Sequence, residues 1–328
     1  MRVAITGASG LIGRRLTNEI IKRAALVGAS GEARAVEELI LIDRHPFEPP
    51  AGAPFTVTRM VADLCDDETL ADLGRRAIDS LFHLAATLTI EAERDFDRGW
   101  AVNLHLPFRL LEMCRASGRR TRFVYASSIA VFGGSLPNQL PEQVGDAHVQ
   151  RPQTSYGTAK AVTELLLNDY TRHGYVDARA LRLPIVVIRP RAATATVSDV
   201  ISSLMREPLA GRNVVSPLGL AASFPIVSVK RAAENLLRLH DAPESSFGDS
   251  RAVNQPGLTV NLGDILSSLA RIAGVAAADR VSITPDHAVA RVVQGWPERF
   301  VTEAHALGLE PDAGLDEILR AYLASGAG

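Results

Sequence analysis

The sequence predicts an α/β chain: a doubly wound parallel sheet with a smaller C-terminal substrate lobe. Three observations carry that reading. Short β-rich runs alternate with longer amphipathic stretches through the first two thirds of the chain. The runs are apolar on both faces, as strands covered by helices above and below must be. A glycine-rich segment, Gly7-Ala-Ser-Gly10-Leu-Ile-Gly13, separates the first run from the first amphipathic stretch.

Strands are expected at Val3–Thr6, Leu39–Asp43, Thr56–Met60, Ser80–Leu84, Arg122–Ala126 and Ala178–Leu183. Helices are expected between them at Leu11–Ala25, Asp95–Ser117 and Ser155–His173. The stretch Val27–Glu37 holds a second Gly-Ala-Ser-Gly, but no strand precedes it, so it reads as a surface loop lengthening the first crossover. Beyond Pro184 the pattern loosens, with prolines at 190, 208, 217 and 225. A helix over Val229–His240 and a strand around Arg251–Gln255 can return to the sheet. The expected division is a dinucleotide-binding part, 1–183 with 226–255, and a smaller lobe, 184–225 with 256–328. A ligand would lie in the cleft between them.

Composition narrows the function. In 328 residues, 35 Lys+Arg face 37 Asp+Glu for a net charge of -2, which gives no field to gather a nucleic acid. Only Lys22, Lys160 and Lys230 are lysine. No run of about eighteen apolar residues exists, so no membrane span is expected. The opening MRVAITGASG reads as a strand rather than a secretory signal. Cys65 and Cys114 stand without a CxxC, and the histidines form no HExxH or HxH cluster. A disulfide framework and a metal site are therefore not expected, and a cytoplasmic location is.

The glycine segment has a specific use. A tight turn needs Gly7, close approach of a pyrophosphate needs Gly10, and helix–strand packing needs Gly13. The N–H groups of Leu11 and Ile12, opening the helix, would face the phosphates. Asp43 ends the second strand, where a carboxylate accepts from an adenosine ribose and repels a 2′-phosphate. NAD is therefore expected rather than NADP, with Arg44 beside it as the residue that would favour the phosphate. Asp63 and Leu64 follow the third strand, within reach of adenine. A strand-end acid that merely faces solvent is the plain alternative for either carboxylate.

Tyr156 and Lys160 lie four apart on a helical pattern, hence on one face. A phenol is a poor base near neutrality, and a cation beside it favours the phenolate. The lysine can also hold a nicotinamide ribose. Ser127 and Ser128, just after a strand, can orient a substrate hydroxyl; the plain alternative is that they satisfy backbone.

TGASGLIG, HLAA at 83–86, Asn103, SSIAVFG and YGTAK together resemble the extended short-chain dehydrogenase/reductase family, over nearly the whole chain. The resemblance implies a Rossmann-type fold and a catalytic triad of Ser128, Tyr156 and Lys160. Ser128 is preferred to Ser127 because it stands five before Gly133. It further implies that Leu84, Ala85, Ala86, Pro184 and Ile185 line the dinucleotide, that Asn103 supports the site, and that Thr87 and Ser128 touch substrate. His83 becomes a strand-end histidine rather than a ligand.

Many relatives that handle nucleotide sugars read LRxxN after the sixth strand; here the text is Leu181-Arg182-Leu183-Pro184-Ile185, without that polar anchor. PQTSYGTAKAVTELLLNDYTRHGYVDARALRLP and GWPERF instead resemble the family's dehydrogenases of four-carbon sugar acids, which implies NAD-dependent oxidation at C2 of a D-erythronate-like acid. A carboxylate substrate calls for a cation, and Arg189, Arg191 and Arg299 are the candidates. The alternatives are an epimerase or dehydratase that retains its NAD, and a non-catalytic NAD-binding regulator. A homodimer through two helices is common in the family and is expected here.

Overall fold

In the computed structural model, which describes residues 1–133, 140–189, 197–286 and 296–325, alternate residues of the first strand enter two different cores. Val3 and Ile5 of β1 (Arg2–Thr6) pack on one face of the sheet and Ala4 on the other. The helix α1 (Leu11–Arg23) lays Leu16 and Ile20 on the first face and stops at Ala24, with Lys22 and Arg23 in its carbonyl-rich last turn. The loop expected over 27–37 is instead a hairpin, β2 (Ala25–Val27) against β3 (Ala33–Ala35). Three-residue strands are too short for alternation to register in a sequence.

β4 (Glu38–Asp43), β5 (Thr56–Val61), α2 (Asp67–Gly74) and β6 (Ser80–His83) follow, with Leu39 and Leu41 on the first face, Ile40 and Ile42 on the second. After α3 (Thr89–Arg94), the single helix expected over 95–117 is broken in two: α4 (Phe96–Trp100) and α5 (Leu106–Ala116) flank a π-helical turn, Ala101–His105. Pro107 has no N–H to continue the regular ladder, and Leu106 N donates to Ala101 O across the wider turn.

β7 (Thr121–Ser128) runs two residues past its expected end, so Ser127 and Ser128 are the last residues of the strand itself. The reason is its neighbour: β9 (Val176–Leu183) pairs with it as far as Ser128 against Leu183. Between them lie β8 (Gln143–Val144) and the long helix α6 (Ser155–Arg172). Then come β10 (Ile185–Val187), α7 (Val197–Leu209), β11 (Val214–Ser216), β12 (Ser223–Ser228), α8 (Val229–Asp241), β13 (Ala252–Asn254), β14 (Leu258–Asn261) and α9 (Leu262–Ala273). β15 (Val281–Ile283), β16 (Arg299–Phe300) and a last helix, Leu315–Ala324, end the described chain.

The central sheet has seven parallel strands in the order β13-β9-β7-β6-β1-β4-β5. Helices α1 and α8 cover one face; α2, α5 and α6 cover the other. A separate core joins the small sheet β10-β12-β14 to α7, α9 and the last helix. Strand β12 spans the boundary expected at 226. The order in which strands are added reverses between β1 and β6, which puts a crevice at their C-terminal ends. Among the described residues, no helix is long and apolar enough to cross a membrane.

Candidate active site

The crevice is built from the glycine turn upward. Gly7 adopts φ +72°, and a Cβ there would meet Ala85 N at 2.7 Å. A Cβ on Gly13 would stand 2.2 Å from Gly7 O, so helix and turn touch through backbone alone. Gly10 precedes α1 with no side-chain cap, and the first turn carries no acid. The N–H groups of Leu11, Ile12 and Gly13 are thus left for an anion, and the cradle fits a pyrophosphate.

The cleft measures about 450 Å³ and brings together Gly7, Gly10, Leu11, Ile12, Gly13, Asp43, Asp63, Leu64, Leu84, Ala85, Ala86, Thr87 and Arg189 from the expected set. Asp43 accepts from Ser9 N and His45 N, each at 3.0 Å, which aims its carboxylate along the wall. Burial pushes Asp63 up, but hydrogen bonds from Cys65 N at 2.9 Å and Arg98 Nη2 at 2.7 Å outweigh it and hold the carboxyl below its usual range. Arg98, Leu88, Ala126 and Val186 also line the cleft. Sequence reasoning missed them: Arg98 lies 35 positions from its partner Asp63, and no local pattern marks it.

Other expected residues sit elsewhere. Asn103, on the π turn, is 2% exposed and accepts from Thr87 N and donates to Thr87 O, both at 2.9 Å. It fixes the loop after β6 from behind rather than lining the cleft. Pro184 and Ile185 are buried and lie outside the cleft wall. Arg299 is exposed on β16 and lies outside the cleft wall; Phe300 takes the inward position, 6.0 Å from the Phe132 ring. Arg191, and Gly295 of the GWPERF stretch, lie outside the described residues. Trp296 packs against the separate core of the small sheet β10-β12-β14.

Beyond Ala126 and Arg189 the triad residues converge. Thr154 caps α6 by accepting from Gly157 N at 3.0 Å, and Glu93 accepts from Ser155 N at 2.7 Å. A Cβ on Gly157 would meet Ala130 O at 2.3 Å, so the start of α6 is pressed onto the turn that follows Ser128. Burial pushes the Tyr156 phenol above its ordinary value, while a hydrogen bond with Ser128 and the charge of Arg189 pull it back. The charge expected there was that of Lys160. Its ammonium instead donates to Ala126 O at 2.7 Å and lies 4.3 Å over the Tyr125 ring and 5.5 Å from the Tyr156 ring. Burial lowers Lys160 to about 7, opposed by Glu164. His83 is buried, with Nδ1 2.7 Å from Thr6 Oγ1. Burial, then the Lys160 charge, lowers it to about 3, so it stays neutral.

A phenol, a hydroxyl and two cations beside a pyrophosphate cradle suit the oxidation of an alcohol by a dinucleotide held there. Comparison with known proteins agrees. Residues 3–254 match the NAD dependent epimerase/dehydratase family. The chain is 39% identical to D-erythronate dehydrogenase of Cupriavidus necator, covering 98% of each, and 32% identical to the Haemophilus influenzae enzyme of that name, covering 98% of this chain and 99% of that one. The crystal structure of a nucleoside-diphosphate-sugar epimerase from Agrobacterium tumefaciens superposes with a TM-score of 0.90 at 34% identity, covering 100% of this chain and 95% of that one. The chain belongs to the NAD dependent epimerase/dehydratase family, and within it stands with the NAD-dependent dehydrogenases.

Proposed function

We propose that the chain oxidises a four-carbon sugar acid of the D-erythronate kind at its C2 hydroxyl, with Tyr156 as the base. The observation that carries the reading is Arg189: one guanidinium lines the cleft and acts on the Tyr156 phenol. A substrate carboxylate paired with it would set the neighbouring carbon's hydroxyl against Tyr156 and Ser128. Ser128 hydrogen-bonds the Tyr156 phenol in the resting site and would donate to the substrate oxygen in turnover. Tyr156 takes the hydroxyl proton, a role worth about 10²–10⁴-fold in rate. Leu11, Ile12 and Gly13 would hold the NAD pyrophosphate, Asp43 its adenosine ribose and Lys160 its nicotinamide ribose. Bound NAD supplies the acceptor for the C2 hydrogen. Phe108 and Leu165, 42% and 64% exposed on α5 and α6, support a homodimer through those helices.

A second reading, an epimerase that returns the hydrogen to its substrate, is favoured by the likeness to the Agrobacterium epimerase structure. Ile185 stands against it, since the nucleotide-sugar relatives carry a polar anchor there. A panel of four-carbon to six-carbon aldonates with NAD or NADP separates the two. Net NADH is expected with D-erythronate, and a primary isotope effect with the C2-deuterated acid alone. Turnover of a nucleotide sugar with no net NADH would overturn the proposal.

A further inference from the structure

Tyr156, Lys160 and Glu164 follow one another at four-residue steps along α6 and so form a single stripe. Glu164 is 2% exposed. It accepts from Ser127 Oγ at 2.5 Å, from Arg182 Nε at 3.1 Å on both oxygens and Nη2 at 2.8 Å, and from Gln150. Every partner donates, so the group is a carboxylate. These bonds join the catalytic helix to the end of β7 one residue before Ser128, and to β9 through Arg182.

We propose that Glu164 is a positioning residue that keeps buried Lys160 in its ammonium form and in register with the Ser127–Ser128 strand end. The inference rests on the reading of Tyr156 and Lys160 as reacting groups. Lys160 is 2% exposed, and its ammonium is met by one carbonyl, Ala126 O, and by the Tyr125 ring. From its own helix Tyr156 and Glu164 face it; from β7, Tyr125; from β6, neutral His83; Ser127 of β7 and Arg182 of β9 are bonded to Glu164. Among these, Glu164 alone carries the charge that favours the ammonium, and burial draws Lys160 down to about 7 even so. Charge pairs act strongly here because water is excluded.

Scarcity of lysine makes the test direct. Labelling every lysine with ¹³C and ¹⁵N yields signals from Lys22, Lys160 and Lys230 alone, and Lys22 and Lys230 are 66% and 48% exposed, serving as internal controls. In Glu164→Gln, the Lys160 titration midpoint is expected to drop by about one pH unit or more, while the control signals stay in place and Glu164→Asp restores the midpoint. The alkaline limb of kcat/KM should move down with it. Should Glu164→Gln not fold, because Arg182 is left as a lone buried cation, the double variant Glu164→Gln/Arg182→Met removes both charges and should show a smaller drop in the same direction. An unmoved Lys160 midpoint in either folded variant overturns the inference. A lowered midpoint with an unmoved activity profile upholds it and refutes the part given to Lys160 in turnover.

Discussion

The two ends of the central sheet carry cavities of similar size and opposite chemistry. The larger, about 560 Å³, lies at the N-terminal ends of the strands, and the smaller, about 450 Å³, at their C-terminal ends. At the larger one the charges close on each other. Arg122 and Arg179 share Asp177 at 3.0 and 2.8 Å, while Arg120 and Arg251 share Glu244 at 2.7 and 2.8 Å. Arg179 also donates to the carbonyls of Leu239, His240 and Ala242, which end α8. At the smaller cavity α1 begins with free N–H groups and no acid, and the Arg189 charge acts on the Tyr156 phenol as well as on Asp199. The lesson is that volume does not mark the site. Crossovers between parallel strands send helix N-termini to one end of the sheet and C-termini to the other, so one end attracts anions and the other is closed by arginines.

The largest expected effect sharpens that contrast at the cleft end. Tyr156→Phe should lower kcat by about 10²–10⁴-fold and leave NAD affinity within a few fold of wild type, checked by steady-state kinetics and titration of the free enzyme. Retained turnover would take the base away from Tyr156. At the other end the expectation is the reverse. Asp177→Asn leaves two buried guanidinium groups without their shared carboxylate and should cost about 3–5 kcal/mol of stability, read by urea unfolding. KM for NAD and kcat of the folded enzyme should not move; a changed KM would mean that the two ends are coupled.

The smallest effect compares two buried histidines. His240, at the arginine-closed end, bonds Ser80 at 2.8 Å and Asp241 at 2.7 Å, whereas His83 at the cleft end leaves Nε2 without a partner. His83 is lowered to about 3 when folded and has its ordinary 6.5 when unfolded. Below 6.5 the unfolded chain therefore takes up the proton first. Stability is lost at about 1.4 kcal/mol per pH unit as the pH falls from 6.5 toward 3. His83→Asn, which keeps an acceptor for Thr6, should lose about 2 kcal/mol less than wild type between pH 7 and pH 5. Equal losses in the two proteins would show that His83 already binds a proton in the fold.

Local chemistry made part of this legible in advance. The Gly7–Gly13 turn, the Asp43 strand end and the Tyr156–Lys160 step each depend on spacings of a few residues, where turn geometry and helical period act directly. Lys160 illustrates the limit of such reading. Its place on the helix was legible, but its direction was not: the ammonium turns to Ala126 O, 5.5 Å from the Tyr156 ring, and Arg189 brings a further charge to the phenol. The Arg98–Asp63 and Glu164–Arg182 pairs were likewise hidden, since each joins elements brought together only by the sheet. Arg299 looked equivalent to Arg189 and was not, because β16 pairs with β8 in a register that sends Phe300 inward.

What the sequence determined by itself is the alternation that makes a two-faced parallel sheet, the glycine turn that admits a pyrophosphate, and the helical stripe that carries Tyr156 and Lys160. Those follow from sterics and periodicity along a few bonds of chain. The tertiary structure alone decided which arginine meets the phenol, which carboxylate faces the lone buried lysine, and which of two cavities stays open to an anion. Each of those is a choice among like charges far apart in sequence, and only distance and desolvation, created by packing, make one partner count more than another.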